Sequence, residues 1–277
     1  MTAARATIAR EVAVSGVGLH LGHDCRLIFR PAPAGAGRSF VRTDLPGSPV
    51  IPAHASVAVL AERRTQLGEG EEAVHTVEHV LAAVAALGLD DLVIEMDAPE
   101  PPVLDGSSRG FVEALREAGR VELDAPAEEL RLRRPVRVED GASVYEAYPS
   151  EVLQLEVGIE FPHPLVGRQR IALDVTAESF VQELAAARTF GFVHEVAALQ
   201  EKGLIRGAST ANALVLGDEG VVDNELRWPD EFVRHKALDC VGDLALAGRR
   251  VIARVVAERP SHRGTVLLVR EMLAHAR

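Results

Sequence analysis

The sequence contains few cysteines and no long apolar run. Only two of its 277 residues are cysteine, and neither Cys25 nor Cys240 has a cysteine or histidine neighbour at zinc-finger spacing. This scarcity excludes a disulfide framework, so we expect both thiols to be reduced and structural. No apolar segment reaches the length of a secretory signal core or a membrane span. We therefore expect a cytoplasmic protein without stable membrane insertion.

Basic residues are also scarce relative to acidic ones. The chain has 30 Lys and Arg against 41 Asp and Glu, which gives a formal net charge of −11. An acidic balance of this kind disfavours nucleic acid as a partner but still allows a local cationic pocket for a small anionic substrate. Hydrophobic residues make up 47% of the chain, enough to fill one large core or two ordinary ones.

The distribution of hydrophobic residues predicts a chain of two halves. Alternating segments predict strands at 5–14, 25–30, 92–96, 131–138, 152–160 and 251–256. Helical periodicity predicts helices at 76–87, 108–118, 193–201, 230–247 and 265–276. Because the order does not alternate strictly between strand and helix, we expect an α+β fold in each half. A Pro/Ala/acid segment at 124–129 is typical of a linker and divides the chain into domains 1–125 and 126–277.

The first candidate site is the segment His75-Thr76-Val77-Glu78-His79. On the predicted helix, the apolar residues share one face, so His79 points away from that face. Gly88 predicts the end of the helix, which places Glu78 and His79 in its first turn, where the helix dipole favours an ionised carboxylate. Taken alone, the segment is also compatible with an ordinary first-turn acid and a surface histidine.

The second candidate site lies on the helix predicted at 230–247. His235, Asp239 and Asp243 recur every fourth residue and form one polar stripe. Two ligands one turn apart can bind the same metal ion, and a carboxylate one turn further can orient another imidazole. A solvated helix face carrying a His–Asp pair is the alternative, and it is weakened because both helices carry such residues. Together the two helices supply the ligands and the base of a hydrolytic zinc site.

A competing local pattern overlaps the first segment. His75-x-x-Glu78-His79 matches the inverted zinc-peptidase pattern, in which both histidines bind the metal and the glutamate is the base. That interpretation needs His75 inside the helix, although Thr76 can cap the helix at its start. It also assigns no role to His235 and Asp239.

Several segments, in order along nearly the whole chain, resemble the UDP-3-O-acyl-N-acetylglucosamine deacetylase family, the zinc enzymes of lipid A biosynthesis in Gram-negative bacteria. They are Gly16-Val17-Gly18-Leu19-His20, Arg30-Pro31-Ala32-Pro33, Thr76-Val77-Glu78-His79, Leu104-Asp105-Gly106-Ser107, Ala187-Arg188-Thr189-Phe190-Gly191-Phe192 and Asp230-Glu231-Phe232-Val233-Arg234-His235-Lys236-Ala237-Leu238-Asp239. The resemblance implies two similar α+β domains, each a β-sheet packed with helices, with the active site at their interface.

The resemblance also implies the metal ligands and the base. His79, His235 and Asp239 match the residues that bind zinc, with one position left for water. Glu78 matches the general base that accepts the proton of this water. Fe²⁺ in place of Zn²⁺ is compatible with two imidazoles and a carboxylate.

Two further residues match positions that act on the reacting amide. Thr189 matches the hydroxyl that donates a hydrogen bond to the developing oxyanion. His262 matches the imidazole that serves as electrostatic stabiliser and general acid, with Asp243 holding it. Lys236 can add positive charge near the reacting centre.

The implied substrate is UDP-N-acetylglucosamine carrying a long 3-O-acyl chain, hydrolysed to acetate and the free amine in the committed step of lipid A biosynthesis. Its diphosphate needs cations, and Arg259 is placed for that task, with Arg263 as a second candidate. The acyl passage is expected in an insertion of the second half, around 161–184. Phe161 and Phe190 are expected to flank the sugar or the acyl entrance, although aromatic residues often only pack. We expect a monomer.

Four positions depart from the family pattern. Gln66 stands where many members have a cysteine near the metal, and Ser143 stands where a basic residue is common. Ala211 replaces an aspartate, and Ser261 replaces a glycine. None of these departures removes a zinc ligand or the base, so an active enzyme is predicted.

Two other classes of protein stay open. A zinc peptidase or amidase with another substrate would share the metal and the base but would not respond to UDP. A catalytically silent protein that binds sugar nucleotides would keep the arginines and the passage but bind little zinc. Metal content after purification without added zinc discriminates the second class.

Overall fold

The computed structural model of the protein describes residues 3–61 and 63–276. The strands of the first half are β1 (Ala4–Ile8), β2 (Val12–Val17), β3 (Asp24–Pro31), β4 (Arg38–Arg42), β5 (Val50–Pro52), β6 (Ala58–Val59), β7 (Gln66–Leu67), β8 (Val74–His75), β9 (Leu92–Met96) and β10 (Arg120–Pro126). Its helices are α1 (Glu78–Ala86) and α2 (Arg109–Ala118).

The second half follows with β11 (Glu129–Arg131), β12 (Val136–Asp140), β13 (Ser143–Pro149), β14 (Gln154–Phe161), β15 (Gly167–Asp174), β16 (Phe190–Phe192), β17 (Leu214–Gly217), β18 (Gly220–Val221) and β19 (Arg250–Glu258). Its helices are α3 (Ala177–Ser179), which continues into a π-helical turn at Phe180–Leu184, α4 (Val193–Glu201), α5 (Glu231–Leu244) and α6 (His262–Ala274). Among the described residues, no helix is long and apolar enough to cross a membrane.

Each half is built on one mixed sheet, and the two sheets share a path of five strands. The strand order is β2-β3-β9-β4-β5 in the first sheet and β12-β13-β19-β14-β15 in the second, where β11 adds a sixth strand beside β19. Along each order the pair β9 and β4, or β19 and β14, is parallel, while the other neighbours are antiparallel. Helices α1 and α2 flank β9 in the chain as α5 and α6 flank β19. The predicted α+β class is confirmed, and the topology repeats although the sequence shows no repeat.

Both halves carry an insertion at the same point of this repeat. It lies between β5 and α1 in the first half and between β15 and α5 in the second. In the first half, the insertion forms the small sheet β6-β7-β8. In the second half, it is longer and contains α3, α4 and the sheet β16-β17-β18. Neither insertion belongs to the sheet of its half.

Several predicted boundaries differ from the structure. The predicted strand at 5–14 is two strands, because β1 pairs with β10 whereas β2 pairs with β3. The segment 124–129 is largely strand: β10 ends at Pro126, and β11 begins at Glu129 and pairs with β19. The boundary at 125/126 stays a prediction. Helix α6 begins at His262 because the side chain of Ser261 accepts a hydrogen bond from the backbone N–H of Gly264.

The two halves meet where α1 packs against α5. The residues of α1 from Glu78 to Val84 are all buried, so the face predicted to point away from the core of its own half is covered by the other half. Gly242 of α5 lies directly against α1, and a Cβ atom there would lie 2.0 Å from the carbonyl oxygen of Glu78. The absence of a side chain at this position therefore sets the distance between the two helices.

We expect Gly242→Ala to destabilise the protein by about 1–3 kcal/mol, because the new methyl group forces α1 and α5 apart in a close-packed interface. The measurement is the free energy of unfolding in urea. Gly110→Ala is the matched control, since a Cβ there meets the flexible end of Leu104 at 2.7 Å rather than backbone. If the two variants have equal stability, the proposed tight contact is wrong.

Candidate active site

Three predicted metal ligands lie together where α1 meets α5. His79 is on the first turn of α1, and His235 and Asp239 occupy successive turns of α5. One ligand atom from each residue lies within 4.8 Å of the others, and all three residues are buried. Asp239 Oδ1 lies 3.5 Å from Nε2 of His79 and 3.4 Å from Nε2 of His235.

The chemistry of this cluster fits a metal ion. Among the described residues, the buried Oδ1 atom of Asp239 finds no hydrogen-bond partner, a costly state that a cation relieves. Nδ1 of His235 lies 3.1 Å from the carbonyl oxygen of Ala187, which keeps the proton on Nδ1 and turns the lone pair of Nε2 toward Asp239. Burial lowers the pKa of His235 to about 3, so the imidazole is neutral, as a ligand must be.

Glu78 lies beside this cluster and is buried. The backbone N–H of Thr65 donates to its Oε2 at 3.0 Å, which fixes the carboxylate. Burial raises the pKa of Glu78 above its ordinary value, toward the range in which a carboxylate accepts protons efficiently at neutral pH.

His262 faces Glu78 from the first turn of α6. Its Nε2 lies 3.6 Å from Oε1 of Glu78, and its Nδ1 lies 3.0 Å from Oδ2 of Asp243. Although burial alone lowers the pKa of His262, the carboxylates of Glu78 and Asp243 outweigh it and raise the pKa to about 9. Asp243 also accepts a hydrogen bond from the hydroxyl of Thr65, so one threonine contacts both carboxylates.

Lys236 and Thr189 complete the predicted set around the cluster. The ammonium of Lys236 lies 2.9 Å from Oδ2 of Asp239. Burial lowers the pKa of Lys236, but the charge of Asp239 outweighs this and raises it. The backbone N–H of Thr189 donates to the carbonyl oxygen of Gly106 at 2.8 Å, which ties this residue to the first half.

All of the predicted metal ligands and catalytic residues except Asp243 line one cavity of about 830 Å³. Phe161 and Phe190 line it as well, with ring centroids 5.6 Å apart in an edge-to-face contact. The volume suits a ligand much larger than an amino-acid side chain.

The apolar part of the cavity is lined mostly by residues outside the range in which the acyl passage is expected. It is lined by residues of β16, α4, β17 and the segment between α4 and β17, among them Phe192, Val196, Leu199, Ile205 and Val215. Of the predicted range 161–184, Phe161 is the member that lines the cavity in the described chain. Phe180 and Leu184 of the same range are fully buried in the core, because the π-helical turn packs against α5.

Arg259 does not line the cavity in this structure. Its guanidinium forms an ion pair with Glu160 on the exposed side of the second sheet. The described arginines of the cavity lining are Arg63 and Arg263. Arg63 donates to both carboxylate oxygens of Glu195 of α4, and Nε of Arg263 lies 3.3 Å from Asp140.

The inverted-peptidase pattern does not match the local structure. His75 ends β8 and pairs with Gln66, outside α1, which begins at Glu78. Among the described residues, the metal-compatible group contains His79 but not His75.

Each of the four residues that depart from the family pattern makes a local hydrogen bond. Ser261 caps α6, and the amide of Gln66 donates to the carbonyl oxygen of Gly68 at 3.1 Å. The hydroxyl of Ser143 donates to the carbonyl oxygen of Arg259 at 2.6 Å, and the backbone N–H of Ala211 donates to Ser209.

Two residues near the site were missed by sequence reasoning. Thr65 carries no signal, since its partners Glu78 and Asp243 are 13 and 178 positions away. Glu100 is fully buried and accepts hydrogen bonds from the backbone of His20 and from the hydroxyl of Thr76 at 2.6 Å. In the sequence, Glu100 is a single acidic residue before two prolines, and this pattern does not predict a buried position near the site.

Comparison with known proteins places the chain in a family. The sequence profile of UDP-3-O-acyl N-acetylglycosamine deacetylase matches residues 5–274. The chain belongs to this family. The resemblance predicted from the motifs is therefore confirmed, and the family is one of metalloenzymes.

Individual relatives are similar over nearly the whole chain. The UDP-3-O-acyl-N-acetylglucosamine deacetylase of Brucella melitensis is 45% identical over 276 residues, which cover 99% of this chain and 96% of that protein. The Brucella ovis protein of the same name has the same identity and coverage. The one from Bdellovibrio bacteriovorus is 43% identical over 267 residues, covering 96% of this chain and 88% of that protein.

We expect zinc to stabilise the protein by about 4 kcal/mol at free zinc about a thousandfold above its dissociation constant, because the metal binds the folded cluster. Thermal unfolding of metal-free and zinc-loaded protein measures this. His79→Gln should abolish the gain, whereas His75→Gln should retain it. The opposite result would restore the peptidase-like ligand set.

Proposed function

We propose that this chain hydrolyses the N-acetyl group of UDP-3-O-acyl-N-acetylglucosamine, with zinc as its metal, and thereby catalyses the committed step of lipid A biosynthesis. The observation that carries this proposal is the buried group of His79, His235 and Asp239 beside Glu78 on the wall of a large, partly apolar cavity. Family membership and the names of the relatives support the same substrate.

The proposed ligands are His79, His235 and Asp239, a set that suits Zn²⁺ and also Fe²⁺. When bound, the metal supplies Lewis acidity, which polarises the acetamide carbonyl and lowers the pKa of the attacking water. The protein residues then carry the proton transfers and stabilise the charge that develops on the carbonyl oxygen.

Glu78 is the proposed general base. Its carboxylate takes a proton from the water as the water oxygen bonds to the carbonyl carbon. Burial raises the pKa of Glu78, which makes it a better proton acceptor than an exposed glutamate. The hydrogen bond from Thr65 fixes the carboxylate, so no reorientation is needed before the transfer.

Thr189 and Lys236 are proposed to stabilise the tetrahedral state. The hydroxyl of Thr189 donates to the oxygen that becomes negatively charged, and its backbone is fixed by Gly106 before the substrate arrives. Lys236 adds positive charge beside Asp239, which lowers the energy of a negative oxygen in a site shielded from water.

His262 is the proposed general acid. Because Asp243 holds Nδ1 of His262, the proton on Nε2 faces the site. That proton moves to the departing nitrogen as the carbon–nitrogen bond breaks, which yields the free amine and acetate. A pKa raised to about 9 keeps this imidazole protonated at neutral pH.

The cavity gives each part of the substrate a proposed place. The acyl chain lies along the apolar wall formed by Val196, Leu199 and Val215, while Phe161 and Phe190 flank its entrance near the metal ligands. The diphosphate needs cations, and Arg263 lies on the lining. Arg259 joins it only if its guanidinium leaves Glu160, so its role stays a prediction. A monomeric state and a cytoplasmic location also stay predictions.

The first test follows acetate release from UDP-3-O-acyl-N-acetylglucosamine. Glu78→Ala should lower kcat by about a hundredfold or more, as expected when a general base is removed. Glu113→Ala, which removes an exposed acid of α2, is the control and should keep full activity. No release by the zinc-loaded wild type would overturn the proposal, and release from peptides instead would favour a peptidase.

The second test concerns the acyl passage. Leu199→Trp fills part of the apolar wall, so kcat/KM should fall by about tenfold or more for long acyl chains and change little for short ones. Val193→Trp lies on the exposed side of the same helix, where Val193 is 49% exposed, and should leave both substrates unaffected. An equal loss for every chain length would exclude this wall as the acyl site.

A further inference from the structure

Three of the sequence segments that identify the family contain charged residues to which the proposed reaction gives no task. Among these residues are Asp105, Arg188 and Glu231. In the structure, Arg188 and Glu231 are buried and form an ion pair, and Arg227 links that pair to Asp105. They form one chain of hydrogen bonds behind the metal-compatible cluster.

Glu231 is the centre of this chain. It lies in the first turn of α5, one turn before His235, and is fully buried. Its Oε1 accepts from the backbone N–H of Arg188 at 3.1 Å and from the guanidinium Nε at 2.8 Å. Its Oε2 accepts from Nη2 of Arg188 at 3.1 Å and from the backbone N–H of Arg227 at 2.6 Å. Four donors satisfy the carboxylate, so its orientation is fixed.

The remaining donors of Arg188 hold the segment before α5. Its Nη1 donates to Asn224 at 2.8 Å, and its Nη2 donates to the carbonyl oxygen of Glu225 at 2.6 Å. Arg227 donates through Nη1 to the carbonyl oxygen of Ala186 at 2.7 Å and through Nη2 to Asp105 at 2.9 Å. The backbone of residues 186–188 is therefore fixed on both sides by charged groups.

This fixed backbone contacts the candidate site at two points. The carbonyl oxygen of Ala187 lies 3.1 Å from Nδ1 of His235 and decides which ring nitrogen faces Asp239. Thr189 follows Arg188 directly, and its own N–H and C=O are bonded to Gly106 and Leu214. A rotation of the peptide between Ala187 and Arg188 would therefore move the partner of His235 and strain the two hydrogen bonds that orient Thr189.

We propose that the Arg188–Glu231 pair is a positioning device that sets the orientation of His235 through Ala187 and the direction of Thr189 at the same time. This inference rests on the proposed function, because it assigns His235 to the metal and Thr189 to the oxyanion. The pair touches neither metal nor substrate. It acts through the two residues on either side of Arg188.

A second ion pair of the same kind makes a purely structural role testable. Arg5 and Asp91 form a bidentate pair at 2.7 and 2.8 Å, and their side chains are 7% and 0% exposed. The side chains of Arg188 and Glu231 are likewise 7% and 0% exposed. Arg5 and Asp91 line no part of the cavity. Equal changes to the two pairs therefore have similar costs in burial and charge but differ in their distance from the site.

The experiment compares Arg188→Lys with Arg5→Lys in the full chain. Both changes keep a positive charge but lose the forked guanidinium, so both should lower the melting temperature. Only Arg188→Lys should weaken zinc binding, by about 10–100-fold in competition with a chelator. At saturating zinc, it should also lower kcat by about tenfold or more and leave KM within about threefold, because the contact of Thr189 is made in the transition state.

Each outcome decides the inference. Zinc affinity and kcat of Arg188→Lys equal to wild type would overturn it, and so would an equal loss in Arg5→Lys, which would show a general effect of stability. If Arg188→Lys does not fold, Glu231→Gln is compared with Asp91→Asn instead. Both of these changes remove the charge of the carboxylate and keep the length of the side chain. Failure of the wild type to bind zinc or release acetate would instead overturn the proposed function.

Discussion

The close contact of α1 with α5 at Gly242 is the constraint on which the site depends. A backbone carbonyl of α1 occupies the space that a side chain on α5 would need. Because Glu78 supplies that carbonyl and also the candidate base, the same contact that joins the halves places its carboxylate beside Asp239 and His262. The group of ligands is therefore assembled by packing between two helices that are far apart in the sequence.

Charge balance is the second condition for this arrangement. Glu78, Asp239 and Asp243 bring three carboxyl groups into a buried centre, where isolated charges are strongly disfavoured. Lys236 and His262 lie within the same group and compensate part of this charge. The proposed metal ion would add positive charge at the carboxylate oxygen that lies between the two imidazoles, which has no hydrogen-bond donor among the described residues.

Sequence reasoning predicted the parts of the site that are encoded locally. The four-residue spacing of His235 and Asp239 needs only helix geometry, and the position of Glu78 and His79 follows from a helix that ends at Gly88. The class of fold followed from the order of hydrophobic patterns.

What the sequence did not reveal depends on pairing between distant segments. Thr65 reaches the site through the small sheet β6-β7-β8, whose strands of two residues have no recognisable pattern. Ala187 acts through its backbone, so its side chain carries no signal. In the range where the acyl passage was expected, Phe180 and Leu184 pack in the core, because composition alone does not distinguish core residues from residues of a cavity wall. The similarity of the two halves was expected from the family resemblance alone, because they share strand order rather than residues.

Because the two insertions lie at equivalent points outside the large sheets, the residues of the candidate metal site and much of the cavity wall belong to different parts of the fold. The candidate ligands and the candidate base lie on α1 and α5, which follow the inserted segments in the chain, whereas much of the cavity wall belongs to segments outside the two large sheets. Such segments can change in length or composition without altering the register of a single sheet strand. Related proteins can therefore differ in the apolar part of the ligand that they accept while the residues of the candidate site stay the same.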